Sequence, residues 1–197
     1  MAWNTSNVKN VGWMFDDARS FNQDINKWNT SKVTSIYGMF NGCSVFNHGD
    51  ITNAGTKSFT WILSNVTSIN NMFKGCSVFN QDITTFALSK GTNMSYMFQN
   101  ANLFNNGDIT NANSKPLTNW NTTNVTTMSY TFNGASAFNQ DITNWDTSNV
   151  VNMEYTFDEA ITFNQNIRRW DTSNVTTYNK MFDTATAMIN QWWPTNP

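Results

Sequence analysis

Few side chains in this sequence are equipped for chemistry. It holds one histidine, His48, two cysteines, Cys43 and Cys76, and two glutamates, Glu154 and Glu159. Nucleophilic catalysis needs a nucleophile, a base within hydrogen-bond reach and a group that orients the base. His48 lies in a polar stretch with no nucleophile paired to it by spacing. Two carboxylates can share acid–base work, yet Glu154 and Glu159 sit on regular turns with no irregularity to form a pocket around them. Asp24, Asp50, Asp82, Asp108 and Asp141 recur in register, with Asn166 breaking the row. Calcium asks for about six to eight oxygens in a closed loop, and the glycine-rich nonapeptide of calcium-binding solenoids is missing. The expected role of these aspartates is to accept hydrogen bonds from their own turns. The reading is therefore no enzyme, no metal and no cofactor. Cys43 and Cys76 share a column otherwise filled by alanine. A cross-rung disulfide is geometrically open to them, but two buried free thiols are expected.

The residues suited to contact stand out instead by position. Trp or Phe recurs at 3, 28, 61, 86, 120, 145 and 170, at intervals of 25, 33, 25, 34, 25 and 25 residues. With this residue as position zero, position twelve is Phe15, Phe40, Phe73, Phe98, Phe132, Phe157 and Phe182. Position fifteen is Ala18, Cys43, Cys76, Ala101, Ala135, Ala160 and Ala185. A Phe-Asn-Gln-Asp-Ile string or a variant closes each unit. The chain is read as one repeat domain, 1–197, with units 3–27, 28–60, 61–85, 86–119, 120–144, 145–169 and 170–197 and insertions near 49–60 and 107–119. Position ten holds Tyr96, Tyr130 and Tyr155 in three consecutive units, a predicted outward stripe of residues favoured in contacts. The two insertions match each other and carry His48 and Lys57 in one, Asn106 and Lys115 in the other. They are expected to project from the same edge, as insertions in repeats do. Trp192 and Trp193 are a candidate end contact.

Within a unit, apolar residues fall at positions five, eight, eleven, twelve, fifteen and eighteen. Steps of three and four predict one buried face of a short helix or helical turn, capped by Thr122 and Thr123 in the fifth unit and ended near Gly134 or Gly42. The segment from Gln140 to Trp145 predicts a brief strand. A unit this small buries its apolar face only by stacking on neighbours. The expected fold is an α/β solenoid: a leucine-rich-repeat-like right-handed coil of seven units, with short parallel strands on one face and short helical turns on the other. The Trp column is expected in the core, and the Asn column (Asn22, Asn47, Asn80, Asn105, Asn139, Asn164) is expected to bond the backbone of the next rung.

Composition narrows the partners. Eleven Lys and Arg against thirteen Asp and Glu give a net charge of −2, which offers no basic field for nucleic acid or an anionic membrane. No apolar run is long enough to span a bilayer, and Met1-Ala2-Trp3-Asn4-Thr5-Ser6 lacks the regions of a signal peptide. Charged residues make up 12% of the chain and aromatics 15%, a balance that argues for a packed core over disorder.

The run from Phe138 through Asn139-Gln140-Asp141-Ile142-Thr143-Asn144-Trp145-Asp146-Thr147-Ser148-Asn149 to Val150, with Met153 and Phe157, resembles the 25-residue repeat of BspA-like leucine-rich-repeat surface proteins. It is also similar to repeats of mycoplasma-type surface lipoproteins. The resemblance covers residues 3 to about 190. It implies an extracellular or cell-surface protein that binds or adheres to protein or glycan; without the signal or lipid anchor common in such families, display on a virus particle is the alternative. Two other functions fit the repeat. One is structural self-assembly through uncapped ends, giving an end-to-end homo-oligomer. The other is ice binding through the Thr column (Thr30, Thr122, Thr147, Thr172), which Leu63 and Leu88 interrupt.

Overall fold

The structure is a computed structural model that describes residues 3–52, 55, 57–86, 88–91, 93–188 and 193–194. The expected α/β solenoid is overturned. Among the described residues no helix forms, and pairing is confined to single-residue parallel bridges. One such ladder runs from Asn10 through Ser35, Ser68, Asn93, Thr127 and Asn152 to Thr177, which is position seven of every unit. The rest of each unit is turns. Among the described residues the leucine-rich-repeat arrangement of strand and helical segment is therefore absent.

The helix fails for a local reason. Position ten has positive φ in every unit: Trp13 57°, Gly38 59°, Asn71 59°, Tyr96 62°, Tyr130 58°, Tyr155 54° and Lys180 54°. A left-handed residue cannot continue a right-handed helix. Position fourteen repeats the interruption at Asp17, Gly42, Gly75, Asn100, Gly134 and Glu159. Gly42 and Gly134 thus serve recurring turns instead of ending a helix. The expected caps have nothing to cap: the Thr122 hydroxyl is buried without a partner, and Thr123 N–H bonds Asn121 Oδ1 at 3.1 Å.

The backbone donors divide by parity. In the fifth unit, Thr131, Asn133 and Ala135 donate to carbonyls three residues back, on Met128, Tyr130 and Phe132. The alternate residues Met128, Tyr130, Phe132 and Gly134 donate instead to Asn152, Glu154, Thr156 and Asp158 of the next unit, each at 2.9 Å. The same register joins the first unit to the second, where Val11, Trp13, Phe15 and Asp17 donate to Ser35, Tyr37, Met39 and Asn41. Successive three-residue turns therefore account for the backbone groups that a helix would have paired. They also bury the apolar positions at steps of three and four.

The predicted strand before each Trp is bent by side-chain capping. Asp141 Oδ1 accepts Thr143 N–H at 2.8 Å, and Asp24, Asp50, Asp82 and Asp108 do the same for the residue two ahead at 2.8–3.0 Å. Such Asx turns fold the chain where a strand would extend it.

Stacked turns bring the aromatic positions into columns. Phe40, Phe73, Phe98, Phe132 and Phe157 are fully buried and stand 5.5–5.7 Å from their neighbours in adjacent units. Each also stacks on the Phe six residues later, such as Phe132 on Phe138 at 4.0 Å. Trp120, Trp145 and Trp170 form a second column and send their indole N–H groups to Ile83, Leu117 and Ile142 carbonyls. Burying each Phe stabilises the stack by about 2–3 kcal/mol relative to leaving it exposed.

Candidate functional site

The Asn column is the polar seam beside this core. Asn22 Oδ1 accepts Asn47 and Gly49 N–H groups at 2.9 and 2.7 Å. Asn80 Oδ1 accepts Asn105 and Gly107 N–H groups, both at 2.8 Å. At the alternate steps a glutamine takes the second place: Gln81 Nε2 reaches Asn47 Oδ1 at 2.8 Å, and Gln140 Nε2 reaches Asn105 Oδ1 at 2.9 Å. Gln81 and Gln140 are fully buried and also accept Lys57 and Lys115 N–H groups, each at 2.9 Å. They stitch each insertion to the following rung. The sequence reading passed over them because glutamine in a polar string carries no mark of burial.

The insertions do not present the side chains expected of them. His48 and Asn106 occupy equivalent places, and both are fully buried. Asn106 accepts Ile83 N–H at 2.8 Å and donates to Lys115 O at 2.7 Å and Thr84 Oγ1 at 2.9 Å. His48 stacks on Phe59 at 4.1 Å, and both of its ring nitrogens lack a hydrogen bond. Burial pushes its pKa down to about 4; Asp24, 3.5 Å away, opposes this and Lys57 adds to it. Lys57 and Lys115 fold back over the preceding repeat toward Asp24 at 3.9 Å and Asp82 at 3.4 Å. Lysine–carboxylate pairs this exposed contribute little to stability.

The two insertions also close on each other. A Cβ added to Gly55 would lie 2.6 Å from the Gly107 carbonyl oxygen, so only glycine permits this backbone approach. What the insertions turn outward is Ile51 and Ile109, 89% and 66% exposed. The matching isoleucines of plain units, Ile83 and Ile142, are fully buried. Asp108 anchors the second loop. Burial raises its pKa, but hydrogen bonds from Ser114, Thr110 and Gln140 outweigh that and hold the carboxyl well below the usual range.

Tyr96, Tyr130 and Tyr155 come together as a half-buried stack, with ring centroids 4.8 and 4.6 Å apart and planes within 14° of parallel. Lys74 lies over the Tyr96 face at 5.0 Å and Lys180 over the Tyr155 face at 5.8 Å. The rings shield each other's faces, so their edges and phenol groups are what they offer to solvent. None of the three phenol oxygens has a hydrogen-bond partner among the described residues. Burial, with its two tyrosine neighbours, pushes the Tyr130 pKa up. The left-handed backbone at position ten is what aims these rings outward. Asn71 and Gly38 in the same column were the sequence signal for it.

Of the end candidates, Trp192 lies outside the described residues. Trp193 is 41% exposed and stacks on Phe182 at 5.0 Å, covering the end of the Phe column. Cys43 and Cys76 are free, buried thiols that donate to Phe15 and Phe40 carbonyls at 2.8 and 3.0 Å. Burial pushes Cys43 up to about 11 and Cys76 well above the usual thiol value. The Thr column turns inward, with Thr30, Thr122, Thr147 and Thr172 all buried. Among the described residues no cluster of three metal-ligating side chains occurs, and no helix is long and apolar enough to cross a membrane.

Recurring units built of turns, one asparagine seam and shared aromatic columns define a tandem-repeat protein. The family model described as Mycoplasma protein of unknown function, DUF285, matches residues 1–60, 54–115 and 107–196. The chain belongs to that family. Searches among curated proteins and among solved structures return no match.

Proposed function

We propose that this chain is a non-catalytic binding module displayed on a surface, and that it contacts a protein partner through the tyrosine stack. The observation that carries the reading is the order of Tyr96, Tyr130 and Tyr155, stacked at 4.8 and 4.6 Å and flanked by Lys74 and Lys180. A contact residue held in one arrangement before binding loses little entropy on association. Ring edges and phenol donors suit the carbonyls and side chains of a protein, whereas a sugar stacks on an exposed ring face. Surface display and adhesion rest on the resemblance to BspA-like and mycoplasma-type surface repeats.

The test uses Tyr130→Asn and Tyr155→Asn. Asn71 already occupies this column at a φ of 59°, so asparagine is compatible with the backbone. Both variants and the parent are screened against protein and glycan arrays, with Ile51→Asn as a change on a different surface. Loss of a protein ligand in the tyrosine variants alone supports the reading. Protein binding unchanged by both tyrosine changes, or binding to glycans alone, refutes it.

A further inference from the structure

The residues flanking the tyrosine stack carry an ordered charge. Position thirteen reads Lys74, Gln99, Asn133, Asp158 and Asp183 from the third unit to the seventh. This column lies against position ten: Lys74 stands over the Tyr96 ring at 5.0 Å, and Asp183 reaches Lys180 at 3.4 Å. Position nine adds Ser95, Ser129 and Glu154 in the fourth to sixth units. Glu154 and Asp158 are both close enough to oppose ionisation of Tyr130. The face is therefore basic at Lys74, uncharged around Tyr130 and acidic at Glu154, Asp158 and Asp183, where Lys180 balances one carboxylate. Asn71 and Lys180 bound the tyrosine row within the same column.

We propose that the protein partner of the stack is a second copy of this chain, docked through the same face with the two stacks antiparallel. The inference rests on the tyrosine-stack reading above and names its partner. A two-fold axis across the stack returns each column onto itself and reverses the order of the units. Centred on Tyr130, it sets Tyr96 opposite Tyr155 and Lys74 opposite Asp183 of the copy. Gln99 then faces Asp158, Ser95 faces Glu154 and Lys180 faces Asn71, so no like charges meet. The parallel alternative sets each unit against itself. It brings Glu154 and Asp158 against the same two acids and leaves Lys74 with Asn70 and Asn71. Electrostatic complementarity thus selects the antiparallel arrangement and its register.

Two further observations suit a copy. Its rings repeat at the same 4.6–4.8 Å, so a contact made at one rung recurs at the next. The three phenols have no hydrogen-bond partner among the described residues. A phenol both donates and accepts, so two identical rows can satisfy each other.

Sedimentation velocity over a series reaching millimolar concentration tests this, with urea unfolding to check that each variant is folded. The parent is expected to form dimers, and Tyr130→Asn to abolish them. Lys74→Asp and Asp183→Lys each turn two attractive contacts per dimer into repulsive ones, and each is expected to weaken association roughly tenfold. Both place in column thirteen a residue type it already holds. Mixed with each other, these two variants are expected to restore association like the parent's, since every aspartate then faces a lysine. A parent that stays monomeric overturns the inference. So do dimers that survive Tyr130→Asn, charge variants that associate like the parent, or a mixture no tighter than its components. If it falls while the arrays still show a protein ligand lost in the tyrosine variants, the tyrosine-stack reading stands and only the second copy is refuted. Failure of both measurements removes the reading as well.

Discussion

Replacing Asn80 with alanine should uncouple the third and fourth units more than any change of similar size on the surface. Asn80 is 5% exposed, and its Oδ1 accepts the N–H groups of Asn105 and Gly107 at 2.8 Å each, both on buried residues. Alanine removes the acceptor and leaves both donors in place. An orphaned buried N–H costs about 1–3 kcal/mol, so with two of them Asn80→Ala should cost about 2–6 kcal/mol, the lower value applying if water enters. The control is Asn164→Ala. Asn164 belongs to the same column but is exposed, and its Oδ1 receives no hydrogen bond among the described residues. Its loss should cost under about 0.5 kcal/mol. Equilibrium unfolding in urea measures both. Stability in repeat stacks is a sum of unit and neighbour terms, so weakening a middle junction should also broaden the transition and lower its slope. Equal destabilisation by the two variants, or a loss of less than about 1 kcal/mol for Asn80→Ala, would show that the amide column is not what joins the units.

Glu159 holds a φ of 61° in a column where Gly134 and Gly75 stand; Glu159→Gly should raise stability by up to about 1 kcal/mol, and a lower urea midpoint would contradict this. Burial lowers His48 from the usual 6.5 to about 4, so the unfolded chain binds the proton first. The His48 contribution should be level above pH 6.5, fall by roughly 3 kcal/mol between 6.5 and 4, and level off below, where the depressed Asp108 carboxyl keeps total stability falling. His48→Asn, copying Asn106, should abolish that part of the slope in a pH series of unfolding curves. Cys43 and Cys76, whose thiols burial pushes up, should resist a thiol-reactive dye in the native protein and both react once it is unfolded.

The columns could be read from spacing because each is a statement about burial. Phe at position twelve and the small residue at fifteen follow from the closeness of adjacent rungs, and the asparagine and aspartate columns follow from turn chemistry. The backbone was harder to read. A buried face at steps of three and four is shared by a helix and by a chain of three-residue turns, so periodicity alone could not separate them. The discriminating residues were Gly38 and Asn71, which share a column with tyrosines and mark a left-handed position. The insertions were misread for another reason. His48, Asn106, Gln81 and Gln140 are polar, and their burial follows from loops folding back across a rung. That placement depends on the approach of Gly55 to Gly107, whose partners lie 52 residues apart.

The parity of the backbone donors has an electrical consequence. The alternate backbone bonds from position eight to position fourteen run from the N–H of an earlier unit to the C=O of a later one, so these peptide dipoles share one direction along the stack; fewer bonds, such as Thr34 N–H to Lys9 O and Val151 N–H to Thr126 O, run the other way. Their sum resembles the macrodipole of a helix in origin, but its sense is reversed. An α-helix is positive at its first turn, where its free N–H groups lie. In this stack the N–H of each of these bonds points toward the later unit, so the positive direction runs from earlier units to later ones.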